Sequence, residues 1–148
     1  MTCKDDLLVL DVLASARNII LHPRYWTKHA DARKFTPSPA IDNPLMQSPF
    51  DFYMICDPND REARIFTAVG AIDRVIGKID WKIRNKKFRK KAIKKFREKV
   101  IAAMNAHVGE YQSIWIFNGV KSVQHEDVIA VFNKAIEQYS DKTMEMKK

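Results

Sequence analysis

The sequence predicts an all-α fold, a compact bundle of about four main helices with a long Pro-rich loop packed on one side. Three observations predict it. Four segments carry apolar residues at helical spacing, while only residues 78–84 alternate with a period of two. All six prolines fall between positions 23 and 58, so they interrupt one region and leave the rest free to be helical. The 148 residues, 46% hydrophobic and 30% charged, suffice for a single domain with its own core and argue against wholesale disorder.

The first helix is expected over about 5–21. Leu8, Val12, Ala16 and Ile19 repeat at helical spacing, and Leu7, Leu13 and Ile20 widen the stripe. Pro23 stops it. From 22 to 57 the prolines fit neither a long helix nor a central strand, yet Tyr25, Trp26, Phe35, Phe50, Phe52 and Tyr53 crowd the same stretch. Aromatic residues at that density predict an irregular loop folded back onto the helices rather than a solvated linker.

The second helix is expected to start at Asp57 as N-cap, with Pro58 at the first helical position and Asp60 in the first turn. Its buried stripe would be Ala63, Phe66, Val69, Ile72, Val75 and Ile76, with Gly77 as the stop. Gly70 costs about 1 kcal/mol against Ala in mid-helix, which implies close approach of another element. Residues 78–84 alternate as Ile79, Trp81 and Ile83 against charged neighbours, so a short strand, an extended connection or a first helical turn are all open.

The third helix is expected over 85–108, ended by Gly109. Phe88, Ala92, Phe96, Val100 and Met104 recur every four residues, with Lys87, Lys90, Lys91, Lys94 and Arg97 on the other side and Arg89 among the apolar positions. Ile114-Trp115-Ile116-Phe117 is either a short helical turn capped by Ser113 or a strand, and Asn118-Gly119 reads as a tight turn. The last helix is expected over 123–139, facing inward with Val128, Ile129, Phe132, Ala135, Ile136 and Tyr139, and followed by a frayed polar tail at 140–148.

Charge is placed unevenly. The net charge is +8, and between residues 82 and 99 eleven Lys/Arg stand against one acid, Glu98. The other 130 residues carry fifteen bases and seventeen acids. Ordinary solvated faces mix signs, so this segment is a candidate polyanion-binding face, with Arg84, Lys86, Lys87, Arg89, Lys90, Lys91, Lys94, Lys95 and Arg97 as its contacts. Trp81 and Phe88 are interleaved with the charges and offer rings for base stacking, although the four-residue repeat assigns Phe88 to the core.

Other chemistry has weaker support. Cys3 and Cys56 belong to no Cys-x-x-Cys pair and read as two reduced thiols. His22, His29, His107 and His125 lack metal-ligand spacing, and His125 reads as an exposed first-turn residue. A candidate pocket of Trp26, His29, Asn118 and His125 forms only if the Pro-rich loop folds over the last turn. No apolar run is long enough to span a bilayer, and the acidic N-terminus is unlike a secretory signal. No membrane partner, cofactor, metal or catalytic residue is predicted, and no pattern specifies an oligomeric state.

Three segments carry a family resemblance. They are Pro23, Trp26, Thr27 and Ala30-Asp31-Ala32-Arg33; Phe66-Thr67-Ala68-Val69-Gly70-Ala71-Ile72; and Ser113-Ile114, Phe117-Asn118 with Asp127-Val128-Ile129-Ala130-Val131-Phe132. In this order they resemble a small helical domain family of unknown function found in bacterial and phage genomes. The family has Trp-Cys where this chain has Phe66-Thr67, and Asn-Asp where it has Asn118-Gly119, so thiol or carboxylate chemistry is not implied here. The resemblance implies a helical fold and a location in the cytoplasm of a bacterial host. With the basic segment added, the leading expectation is a non-catalytic protein that binds nucleic acid or a nucleoprotein. An adaptor or inhibitor docking on an acidic protein surface comes second, and a small enzyme third.

Overall fold

The computed structural model describes residues 3–28, 31–35 and 53–146. His29, the Cys3 thiol and the Pro-rich stretch at 36–52 lie outside the described residues. Helix α1 (Cys3–Ile19) is followed by a 3₁₀ turn (Pro23–Tyr25), then strands β1 (Ala32–Phe35), β2 (Tyr53–Cys56) and β3 (Ala63–Phe66). Helices α2 (Ala68–Gly77), α3 (Lys86–Asn105), α4 (Ile114–Gly119) and α5 (His125–Met146) complete the chain.

The protein is mostly helical, but the all-α expectation needs correction. The three strands form one antiparallel sheet in the order β2-β1-β3, with Ala32 opposite Cys56 on one side and Phe66 on the other. A single strand from the Pro-rich region is therefore central, which the proline argument excluded. That argument fails because β1 and β2 contain no proline.

The predicted start of the second helix is also overturned. Asp57 accepts from the Asn59 N–H (2.8 Å) and Asp60 from the Glu62 N–H (2.9 Å), so both carboxylates close turns in the connection from β2 to β3. Ala63 and Phe66 belong to β3, and α2 begins only after Thr67, whose hydroxyl accepts from the Gly70 N–H (3.0 Å). The same side-chain-to-backbone bond serves an Asx turn and a helix cap, hence the misreading.

Other elements follow the sequence closely. The 78–84 segment is mostly an extended connection that pairs with no strand among the described residues, and Lys82 turns it toward α3 with a left-handed backbone (φ 51°). Asn85 caps α3 by accepting from the Lys87 and Phe88 N–H groups. Ser113 caps α4, settling the helix-or-strand question in favour of a helix. The last helix runs through the region expected to fray, because Thr143 is buried and Lys142 reaches back to Asp6 at 3.7 Å.

The core lies between α1, α2, α3 and α5. Val9, Val12, Leu13 and Ala16 of α1, and Ile20 just after it, are buried in one cluster with Ile72 of α2, Val100 and Met104 of α3, and Val128, Phe132 and Ala135 of α5. Among the described residues no helix is long and apolar enough to cross a membrane.

One buried ion pair ties α1 to α3. Asp6 is 1% exposed and accepts from Lys99 Nζ at 2.7 Å. That hydrogen bond holds the Asp6 carboxyl below its ordinary range against the opposing effect of burial, helped by the charges of Lys99 and Lys142. A depressed folded-state pKa means the contribution to stability is full above about pH 5 and is lost as pH falls through the folded value. Asp6→Asn is therefore expected to cost about 2 kcal/mol at pH 7 and to flatten the acid limb of a Tm-against-pH curve. A variant whose Tm falls with acid as steeply as the wild type would show that other carboxylates set that limb.

Candidate functional site

Helix α3 is buried over only part of its length. Phe96, Val100, Ala103 and Met104 enter the core, whereas none of the first ten residues is buried. In this proximal half only Arg89, Ala92 and Ile93 are half-buried, and the other seven side chains are exposed. Arg84 just before it, and Lys86, Lys87, Lys90, Lys91, Lys94 and Lys95 on it, are all exposed. Among the described residues these seven cations form no ion pair and no side-chain hydrogen bond.

The remaining predicted contacts divide differently. Arg97, expected on the outer face, makes a two-pronged ion pair with Asp73 of α2, Nε to Oδ1 at 2.6 Å and Nη2 to Oδ2 at 3.2 Å. The Asp73 hydrogen bond raises the Arg97 pKa further, against burial, so its charge is permanent but already matched. Arg89, which the helical projection set among apolar positions, is half-buried and donates to the Ile83 carbonyl at 3.3 Å.

The two aromatic rings of the segment have exchanged their expected roles. Trp81 packs edge-on against Phe96 at 5.1 Å between centroids and is half-buried. Phe88, expected in the core, is 62% exposed. The four-residue repeat drifts around a helix by about 40° per step, and two steps from Phe96 to Phe88 carry the ring to the flank.

A cleft of about 1030 Å³ lies beside α3 on the side facing α2. Asp57, Asp73 and Asp80 meet Arg84, Arg89 and Arg97 along it, so its walls carry both signs. Such a wall neutralises itself, unlike the outer face of α3. Among the described residues no group of three or more His, Cys, Asp or Glu is placed to hold a metal ion.

The other candidate pocket converges in part. Trp26, Asn118 and His125 do meet, while His29 lies outside the described residues. Asn118 is 1% exposed; its Oδ1 accepts from Trp26 Nε1 (2.8 Å) and from the Ala68 N–H (3.1 Å), and its Nδ2 donates to the Thr27 carbonyl (3.0 Å). His125, expected to be an exposed first-turn residue, is half-buried instead, with Nε2 2.6 Å from the Ile20 carbonyl and its ring 5.7 Å from that of Trp26. The Trp26 indole and both ends of the Asn118 amide are committed to neighbours, so these contacts form a clasp that joins the chain around Trp26 and Thr27 to the start of α2, to α4 and to the start of α5.

Lys28, not foreseen from the sequence, closes the same clasp. Its ammonium donates to the carbonyls of Val120 (2.6 Å), Lys121 (3.1 Å) and Val123 (2.5 Å) and sits 5.7 Å from the Trp26 ring centroid. No spacing rule reveals it, since the carbonyls lie more than 90 residues away along the chain. Thr67 joins from the β3–α2 corner, its N–H donating to the Asp31 carbonyl at 3.2 Å.

The three segments that carry the family resemblance therefore meet at one junction, through Trp26, Thr27 and Asp31, then Thr67 and Gly70, then Asn118. A family model described as a family of unknown function (DUF6197) matches residues 4–138. No curated protein and no solved structure matches the chain.

Proposed function

Taking as premise that the chain belongs to this family of unknown function (DUF6197), we propose that it binds nucleic acid, alone or within a nucleoprotein, through the outer face of α3. The observation that carries this reading is the set of six exposed lysines from Lys86 to Lys95, none of which forms an ion pair with a described residue. Like charges crowded on one helix repel one another and raise the free energy of the unbound state. A polyanion relieves that repulsion and releases its own condensed counterions on binding.

Geometry supports the same reading. The proximal ten residues of α3 extend about 15 Å at 1.5 Å per residue, enough to follow several phosphates. Lysines predominate, and these neutralise phosphate without reading sequence, so backbone contact rather than base-specific readout is the expected mode. A bacterial or phage origin and a cytoplasmic location belong to this proposal, as settings in which such a partner is at hand.

Binding of labelled oligonucleotides across a salt series tests it. If about six phosphates are neutralised, log K falls against log salt with a slope near −5 on duplex. Replacing Lys90, Lys91, Lys94 and Lys95 by Glu is expected to weaken binding at least tenfold and make the slope shallower. The same variant keeps its helical circular dichroism, because all four side chains are exposed. Absence of binding to any polynucleotide at low salt overturns the proposal, and salt-sensitive binding to an acidic protein alone would replace it with the adaptor reading.

A further inference from the structure

We infer that the nucleic acid taken by this face is single-stranded, with an unstacked base lying on the ring of Phe88; the inference rests on the nucleic-acid reading and narrows it. Phe66, Phe96 and Phe132 are all buried, at 4%, 7% and 0% exposure, whereas Phe88 is 62% exposed. Single exposed apolar residues are common on protein surfaces and by themselves mean little. Phe88 differs in its surroundings. It is the one exposed large apolar side chain among the first ten residues of α3, beside six exposed lysines, whereas Ile93 on the same stretch is half-buried against the core.

The helix places the ring among the charges rather than apart from them. At 100° per residue Phe88 lies within about 20° of Lys95 and about 60° of Lys91, and about 80° from Phe96, which marks the core side. Lys91 and Lys95 follow it by about 4.5 and 10.5 Å along the axis, and Lys87 precedes it by one residue. A strand crossing this flank sets a base against the ring while its neighbouring phosphates meet ammonium groups on either side. The backbone that carries the ring is fixed at the helix start, because the Phe88 N–H is one of the two that Asn85 caps, here at 3.2 Å.

A duplex cannot use this arrangement. Its base faces are already stacked on one another, and a ring on the side of a helix reaches them only by wedging a step open. A single strand offers free base faces, and stacking on an aromatic ring then adds to the phosphate contacts. Trp81 contributes no second platform, since its ring is turned against Phe96.

The test compares a twelve-residue oligo(dT), the matching oligo(U) and a duplex of equal length, all at one salt concentration, using the full chain. The wild type is expected to hold the single strands more tightly than the duplex. Phe88→Ala should weaken single-strand binding about 5- to 150-fold, the range for loss of one base–aromatic stack, while duplex affinity changes less than twofold. The salt slope should stay the same, because no phosphate contact is removed. Phe88→Trp is expected to restore binding and Phe88→Leu not to, which separates stacking from simple apolar contact. Duplex and single strand bound alike, with Phe88→Ala indifferent, overturns this inference and leaves the charge reading intact. Binding of neither overturns both.

Discussion

Asn118→Ala is expected to destabilise the protein by about 3 to 5 kcal/mol, enough to lower Tm by roughly 10 °C for a domain of this size. The amide satisfies three partners from two separate places in the chain: the Trp26 indole and the neighbouring Thr27 carbonyl, and the Ala68 N–H. Truncation leaves two donors and an acceptor without partners in a region where Asn118 and Thr27 are buried. An unmade hydrogen bond at such a site costs more than the net value of the bond it replaces, because the stranded group has also lost its water. Ordinary surface truncations cost a few tenths of a kcal/mol by comparison.

Asn118→Asp isolates the donor. The carboxylate keeps its shape and both acceptor contacts, but it sets an oxygen against the Thr27 carbonyl and buries a charge. A loss of at least about 2 kcal/mol is expected at pH 7. Chemical denaturation of the three proteins decides the matter. Losses under about 1 kcal/mol for both variants would show that the clasp is not a stabilising hub.

Gly70→Ala is the second large effect, expected to cost about 3 kcal/mol although Ala is the better helix former by about 1 kcal/mol. A Cβ at this position would stand 1.7 Å from the Asp31 carbonyl oxygen and 2.6 Å from its carbon. Both are backbone atoms, so no side-chain rotation relieves the clash. The Asp31 carbonyl also accepts from the Thr67 N–H, so pushing it away breaks the bond that joins the residue before β1 to the N-cap of α2. Gly119→Ala is the control. Its Cβ would meet the Lys28 carbonyl oxygen at 3.8 Å, an ordinary contact, and a change within about 1 kcal/mol is expected. If equilibrium unfolding gives the two variants the same stability, the close approach at Gly70 carries no energetic weight.

The close approach at Gly70 was legible in the sequence, because a mid-helix glycine is costly without such a reason. So were α1, α3 and α5, whose apolar periodicity runs over many turns. The sheet was not. Its strands are four residues each, too short for a period of two to register, and β1 reads Ala-Arg-Lys-Phe with no strand signal of its own. Its place in the centre is decided by pairing with residues about 20 and more than 30 positions further on.

The Asn118 clasp was half legible. Trp26, Asn118 and His125 could be named as residues that would meet, but Asn-Gly reads as a turn when the partners that bury the amide are unknown. Phe88 shows the limit from the other direction. Periodicity reports which side of a helix is apolar, but not where along its axis the core ends.

Local chemistry therefore settled, from the residue order alone, that a long amphipathic helix lies over about 85–108 and carries an excess of positive charge. Those are properties of neighbours along the chain, set by helical geometry and by counting charges. Which cations keep their charge unmatched was decided only in three dimensions, because Asp73 and Asp6 reach Arg97 and Lys99 from other helices. The same holds for Phe88, which meets water because the bundle stops short of the helix's first turns.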